Sequence, residues 1–213
     1  MNLQQLGASC LEYLEGVMAA DPAHDISHVQ RVVQNTISLT REANGNADVT
    51  VPAAWLHDCV SVAKDSPLRK QASKLAADEA VRFLTSIDYR PELLDQIHHA
   101  IEAHSFSANL ETNSLEAQIV QDADRLEAVG AIGIARCLLT GGTLHRPLYD
   151  PADPFAEKRE ADDGLYTLDH FYCKLLGLAE TMKTEAGKAE AIKRTGYMRG
   201  YLEQLRLEIG CGD

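Results

Sequence analysis

The chain has 213 residues, 45% of them hydrophobic and 24% charged, which suits a folded domain with a real core and excludes a disordered polymer. Acids outnumber lysines and arginines by 32 to 20, giving a formal net charge of -12. No basic stripe is present, which argues against a nucleic-acid polymer as partner but leaves room for a small anion held through a bound cation.

Five cysteines, odd in number, widely spaced and without a CxxC, read as reduced thiols of a cytoplasmic protein. The first residues, MNLQQLGASCLEYLEG, lack the basic and apolar regions of a signal peptide. No apolar run approaches the roughly 18 residues of a membrane span, so no membrane partner is expected.

The elements read as helices throughout. Leu3, Leu6, Cys10, Leu11, Leu14 and Val17 recur at helical spacing and predict a helix over 2–19. Asp21-Pro22 reads as a cap and first-turn proline of a second helix, about 22–44, closed by Asn44-Gly45. Asp48 or Thr50 can cap a third, with Pro52 in its first turn and its end near 59–62. Ser66-Pro67 opens a fourth helix, and Pro91 a fifth that runs to about His104. Asn113-x-x-Glu116 has the form of a capping box for one long sixth helix, 114–139.

Residues 140–166 break the pattern, with three of the seven prolines and an acidic run, and read as a lid or a disordered segment. Helical spacing returns at 168–182, and Thr184 can cap a last helix to about Ile209. No strand and no internal repeat emerge, so the fold class is all-α.

Polar residues interrupt the apolar faces at three places. His24 and His28 lie four apart on one helix face, with Asp25 sharing part of it. His57-Asp58 sits in the apolar run VPAAWLHDCV, where an acid is costly unless paired or bound to metal. In the sixth helix Asp122 and Asp124 both interrupt apolar sequence, Asp122 on the Leu115/Ile119/Leu126 stripe and Asp124 among alanines, so periodicity does not choose between them. His98, His99 and His104 cluster at the end of the fifth helix.

A histidine, an adjacent His-Asp and a distant Asp, all on helices, resemble the HD-domain metal-dependent phosphohydrolase superfamily. The blocks HDISHVQRV (24–32), WLHDC (55–59), AIEAHSFSA (100–108), IVQDADRLEAVGAIGIAR (119–136) and LDHFYCKLL (168–176) resemble a subfamily of small bacterial HD hydrolases. The resemblance implies one HD-type helical bundle over 1–213, with a metal-binding core at about 20–139, a lid at about 140–166 and C-terminal helices at about 167–210. It implies His28, His57, Asp58 and Asp124 as ligands of a divalent cation, Mn²⁺ first, with Mg²⁺, Ni²⁺, Co²⁺ or Fe²⁺ also suited to the donor set. Asp124 is favoured over Asp122 by the arginine-leucine that follows it.

The resemblance also implies a nucleotide substrate, with a (deoxy)nucleoside triphosphate cleaved to monophosphate and pyrophosphate as the first expectation. A nucleoside monophosphate phosphatase is the alternative. Asp58 is the expected catalytic residue, and Arg31, Lys64 and His104 the expected substrate contacts, while His24 and Asp25 shape the pocket. Some HD nucleotidases carry a glutamate three residues after the HD pair. Ser61 stands there here, so the general acid is not identified.

Two other classes compete. HDISH resembles the HExxH of zinc peptidases, but its middle acid is one carbon short and the HD pair would be unexplained. A metal-stabilised helical binding module, with residues 140–166 recruiting a partner, is compatible with the acidic lid and the net charge of -12, and a homodimer is compatible with either reading.

Overall fold

The computed structural model describes residues 1–17, 26–62, 66–105 and 110–210. Among these the chain is all-α, with nine α-helices, short 3-10 turns and no strand. None of the helices is long and apolar enough to cross a membrane. The chain forms two compact units, Met1–Asp124 and Arg125–Asp213.

The first unit is organised on α3 (Ala47–Leu56). Every residue from Val49 to Ala54 is buried, so this helix is apolar on all sides and occupies the centre. Around it pack α1 (Leu3–Val17), α2 (Ile26–Ala43), α4 (Ala72–Ser86) and α5 (Leu94–His104). Small residues (Ala76, Ala77 and Ala80 of α4, Ala100 and Ala103 of α5) are buried on the facing helices α4 and α5 and allow close approach. A hydroxyl pair, Thr40 and Thr50 at 2.8 Å, ties α2 to α3 inside the core. The helix α6 (Leu115–Arg125) carries this unit to its last residue, Asp124.

Several boundaries differ from the sequence reading for local physical reasons. The cap of α3 is Asn46, whose side chain accepts from the Asp48 N–H at 3.0 Å, not Asp48 or Thr50. Pro52 therefore lies in the second turn, where its missing N–H frees the Asp48 carbonyl. Tyr89 takes up that carbonyl, donating its hydroxyl at 2.8 Å. The helix stops at Leu56 rather than 59–62. A 3-10 turn, Arg69–Gln71, precedes α4, and another, Pro91–Leu93, precedes α5. At α6 the capping oxygen belongs to Ser114, which accepts from Ala117 N–H at 3.1 Å, while Glu116 reaches the Asn46 N–H instead of Asn113.

The largest departure is the helix expected over 114–139. It is two helices, α6 and α7 (Gly130–Thr143), separated by a 3-10 turn at Leu126–Ala128 and an extended Val129. Gly130 has φ of +77°, which a side chain strains, and a Cβ at Gly133 would lie 2.4 Å from the Ala128 carbonyl oxygen. Arginines reach the carbonyls at the break: Arg194 donates to Leu126 O, which also accepts the Val129 N–H, at 3.0 Å, and Arg136 to Glu127 O at 3.3 Å.

The second unit holds α7, α8 (Asp169–Cys173), a 3-10 segment Leu175–Thr181 and α9 (Glu185–Glu208). Thr184 caps α9 as read, accepting from Gly187 N–H at 3.0 Å. The span read as lid or disorder, 140–166, begins inside the last turn of α7 and continues in turns tied by hydrogen bonds. After α7 ends at Thr143, Arg159 serves as a hub for the turns. Its guanidinium grips the buried Asp169 carboxylate at 2.5 and 2.8 Å, faces Asp150 at 3.4 Å and stacks 4.9 Å over the Tyr166 ring. Leu168 N–H donates to Leu148 O at 2.9 Å, closing the segment on itself.

Candidate metal centre

Four helices bring their ends to one place in the first unit. His28 lies in the first turn of α2, His57 and Asp58 directly follow α3, His104 is the last residue of α5, and Asp124 lies one residue from the end of α6. Three of these are helix C-termini, whose partial negative charge favours a cation. One donor atom from each of His28, His57 and Asp58 can be chosen so that all lie within 4.8 Å of one another. Asp124 Oδ1 stands 3.5 Å from His28 Nε2 and 3.9 Å from His57 Nε2. Asp58 spans two imidazoles: Oδ2 is 3.6 Å from His57 Nε2 and Oδ1 is 3.7 Å from His104 Nε2.

The histidines are the buried floor and the carboxylates the mouth. His28, His57 and His104 are buried, whereas Asp58 and Asp124 are 34% and 30% exposed. Hydrogen bonds set the tautomers, because a carbonyl can only accept. His57 Nδ1 donates to Ala54 O at 2.8 Å and His104 Nδ1 donates to Ile101 O at 2.5 Å. When neutral, each ring therefore presents an unprotonated Nε2 toward the centre. Burial, reinforced by the neighbouring His57, pushes the His104 imidazole below its ordinary pKa despite Asp58 and Asp124 nearby. The decisive atom is His57 Nε2, which is buried and makes no hydrogen bond. A buried lone pair without a donor is costly unless a cation completes it. Imidazole nitrogens beside two carboxylates are a donor set that fits a divalent transition metal.

Comparison with known proteins identifies the family. The HD domain family model matches residues 25–129, the span that contains all of these groups. YpgQ of Bacillus subtilis is 30% identical over 191 residues, covering 87% of this chain and 84% of that protein. The chain belongs to the HD-domain superfamily of hydrolases. Among solved structures, an HD-superfamily hydrolase of Bacillus thuringiensis superposes with a TM-score of 0.75 at 33% identity, over 97% of this chain and 98% of that one. YpgQ of Bacillus subtilis, solved in complex with ADP, superposes with a TM-score of 0.76 at 27% identity, over 99% and 98%.

The HD centre is held in register by two amides that the sequence reading did not single out. Asn35 of α2 donates to Ala123 O at 3.4 Å, next to Asp124. Gln121 of α6 donates to Ala103 O at 2.8 Å, next to His104, from a buried position. Both are polar residues on helix faces that otherwise pack, which is the one signal that could have found them. Asp122 is fully buried, whereas Asp124 faces the histidines from a half-exposed position. Asp58 is half-exposed, not buried as its apolar neighbours suggest.

The remaining site residues divide. Arg31 is half-buried on α2, one turn after His28. Lys64, His24 and Asp25 lie outside the described residues. His98 meets Asp78 at 2.9 Å, and His99 Nε2 accepts from Asn113 N–H at 3.1 Å, so neither joins His104 at the HD pair. His170 contacts Asp163 at 2.6 Å. Arg125 donates to the Thr181 carbonyl at 2.6 Å.

Proposed function

We propose that this HD hydrolase is a metal-dependent phosphohydrolase of nucleotides that cleaves (deoxy)nucleoside triphosphates to the monophosphate and pyrophosphate. The observation that carries the metal dependence is the buried, unsatisfied Nε2 of His57 facing two carboxylates. His28, His57, Asp58 and Asp124 would hold the cation, Mn²⁺ in the first instance. When bound, such an ion polarises phosphate oxygens and brings water closer to a usable nucleophile at neutral pH.

The chain's own groups supply the rest. Asp58 Oδ2 lies on the His57 side and is assigned to ligation, and Oδ1, on the His104 side, is assigned to accept the proton of the attacking water. The water oxygen joins the α-phosphorus, the α–β bridging P–O bond breaks, and pyrophosphate leaves. His104, fixed by the Ile101 carbonyl, lines the pocket beside Asp58. Arg31 and Lys64 are assigned to the phosphates, Arg31 from its place one turn past His28 and Lys64 from its position six residues after Asp58. The absence of a basic stripe elsewhere favours a small substrate over a polymer. The relative YpgQ was solved with ADP, which supports a nucleotide as ligand class.

The test is a panel of nucleoside mono-, di- and triphosphates against Mn²⁺, Mg²⁺, Ni²⁺, Co²⁺ and Fe²⁺, with phosphate and pyrophosphate measured separately. Pyrophosphate release with Mn²⁺, lost in Asp58→Ala, supports the proposal. Phosphate release alone from monophosphates would move the assignment to a nucleotidase. No turnover of any nucleotide would leave the metal-stabilised binding module as the better reading.

A further inference from the structure

We propose a second ligand site in the first unit: the groove between α1 and α2 binds an amphipathic carboxylate with a straight hydrocarbon chain. The helices α1 and α2 both pack on α3 but scarcely on each other, which leaves a cavity of about 800 Å³ above α3. That volume lies within the range of about 300–1,000 Å³ typical of small-molecule sites. The surface is apolar: Val33 and Val51 are buried at its base, and Leu3, Leu11 and Ile37 line its sides. Ile37 is 52% exposed, an unusual position for an isoleucine on a helix that buries most of its apolar residues.

Trp55 forms one wall, and Gly7 makes that possible. A Cβ at Gly7 would sit 3.4 Å from the indole nitrogen and 3.6 Å from Cζ2, so the ring lies against the bare backbone of α1. From Leu3 to Leu11 the α1 wall runs roughly 12 Å at the helical rise, an elongated shape suited to an extended chain more than to a compact ring system. The indole N–H of Trp55 makes no hydrogen bond among the described residues.

The cationic end is Arg41. Its side chain is exposed at the rim and pairs with no acid among the described residues, although the chain carries 32 acids to 20 lysines and arginines. The neighbouring Glu42 is engaged by Ser38, whose hydroxyl donates to it at 3.2 Å. A guanidinium with no acid partner among the described residues, next to an apolar groove, matches one anionic head on a hydrocarbon tail. The site is separate from the HD centre in its donors and needs no metal.

Trp55 is the only tryptophan, so its emission reports on the groove. Dodecanoate, kept below its micelle concentration, is titrated into the full-length protein in EDTA, which removes any carboxylate binding at the HD centre. The expected result is a saturable blue shift with one-to-one stoichiometry by calorimetry. Arg41→Glu should weaken binding at least about tenfold, and dodecanol should bind correspondingly less well than dodecanoate. Ile37→Asp, at an exposed position, should abolish the shift while circular dichroism stays unchanged. A missing or non-saturable response overturns the proposal, as does equal affinity in Arg41→Glu. So does light scattering that shows a dimer which Ile37→Asp splits, since a second copy would then fill the groove. Because the titration is metal-free, its outcome is independent of the nucleotide assay.

Discussion

His57 is pinned on one side and unsatisfied on the other. Its Nδ1–H is spent on the Ala54 carbonyl, and its Nε2 is buried with no donor to meet. The same logic separates the two aspartates that periodicity left equal. Asp124 stands within 4 Å of two imidazole Nε2 atoms and is half-exposed, while Asp122 is fully buried. Asp124→Ala is therefore expected to strip the bound metal, measured by elemental analysis after desalting, and Asp122→Ala to retain it at the wild-type stoichiometry. Loss in the second variant alone would reverse the assignment. The amides next to the centre act through position. Asn35→Ala and Gln121→Ala remove the ties to Ala123 O and Ala103 O. Each is expected to lower metal affinity by roughly 10- to 100-fold, the usual cost of losing an outer partner. Metal titration by calorimetry reads this directly, and Asn35→Asp, which keeps the size but not the donor, should not rescue it.

At the scale of the helix, Pro52 and Tyr89 form one device although they lie far apart in sequence. The proline removes a donor inside α3, and the tyrosine hydroxyl replaces it at the Asp48 carbonyl. Tyr89→Phe is expected to cost about 1 kcal/mol in urea unfolding, the net worth of one hydrogen bond. The cost should shrink in a Pro52→Ala background, where the N–H restored at that position can reach the same carbonyl. Equal costs in both backgrounds would separate the two residues. The apolar spacing of α1, the Asn44-Gly45 end of α2 and the Thr184 cap of α9 were legible because they are local, while Asp21-Pro22, read as the start of α2, lies outside the described residues. The break between α6 and α7 was not, because it depends on distant arginines, Arg136 and Arg194, that donate to the carbonyls at the break. Gly130 stands in DRLEAVGAIG, where helical spacing continues unbroken on either side. Its positive φ is imposed by packing, as is the ordering of 144–168 around Arg159. Of the centre, the residue types and their grouping could be read in the chain. The direction the His57 and His104 rings face could not, since it is set by backbone carbonyls three residues back.

Across the molecule, two different charges govern two different responses. A cation at the HD centre binds the folded state and should raise the melting midpoint, while the chelator EDTA lowers it. In the second unit the charge is internal. Asp169 is fully buried, and burial alone would raise its carboxyl pKa. The Arg159 hydrogen bonds, the Asp162 N–H at 2.7 Å and the Arg159 charge outweigh that and hold it below the ordinary 3.8. A carboxyl whose folded pKa lies below its unfolded value binds protons more readily when unfolded. Its contribution is therefore complete above the unfolded value and drains away as pH falls through the folded one. Chemical unfolding followed from about pH 7 to about pH 2.5 should show stability falling steeply below about pH 4. Asp169→Asn should lower stability at neutral pH by about 2–4 kcal/mol, because it leaves Arg159 without its buried partner. It should also flatten the acid slope, since the titrating group is gone. Metal should leave that acid difference between the two proteins unchanged above the pH where ligation itself fails. If Asp169→Asn kept the wild-type slope, other carboxylates would govern the acid response, and the Arg159 hub would be a packing feature alone.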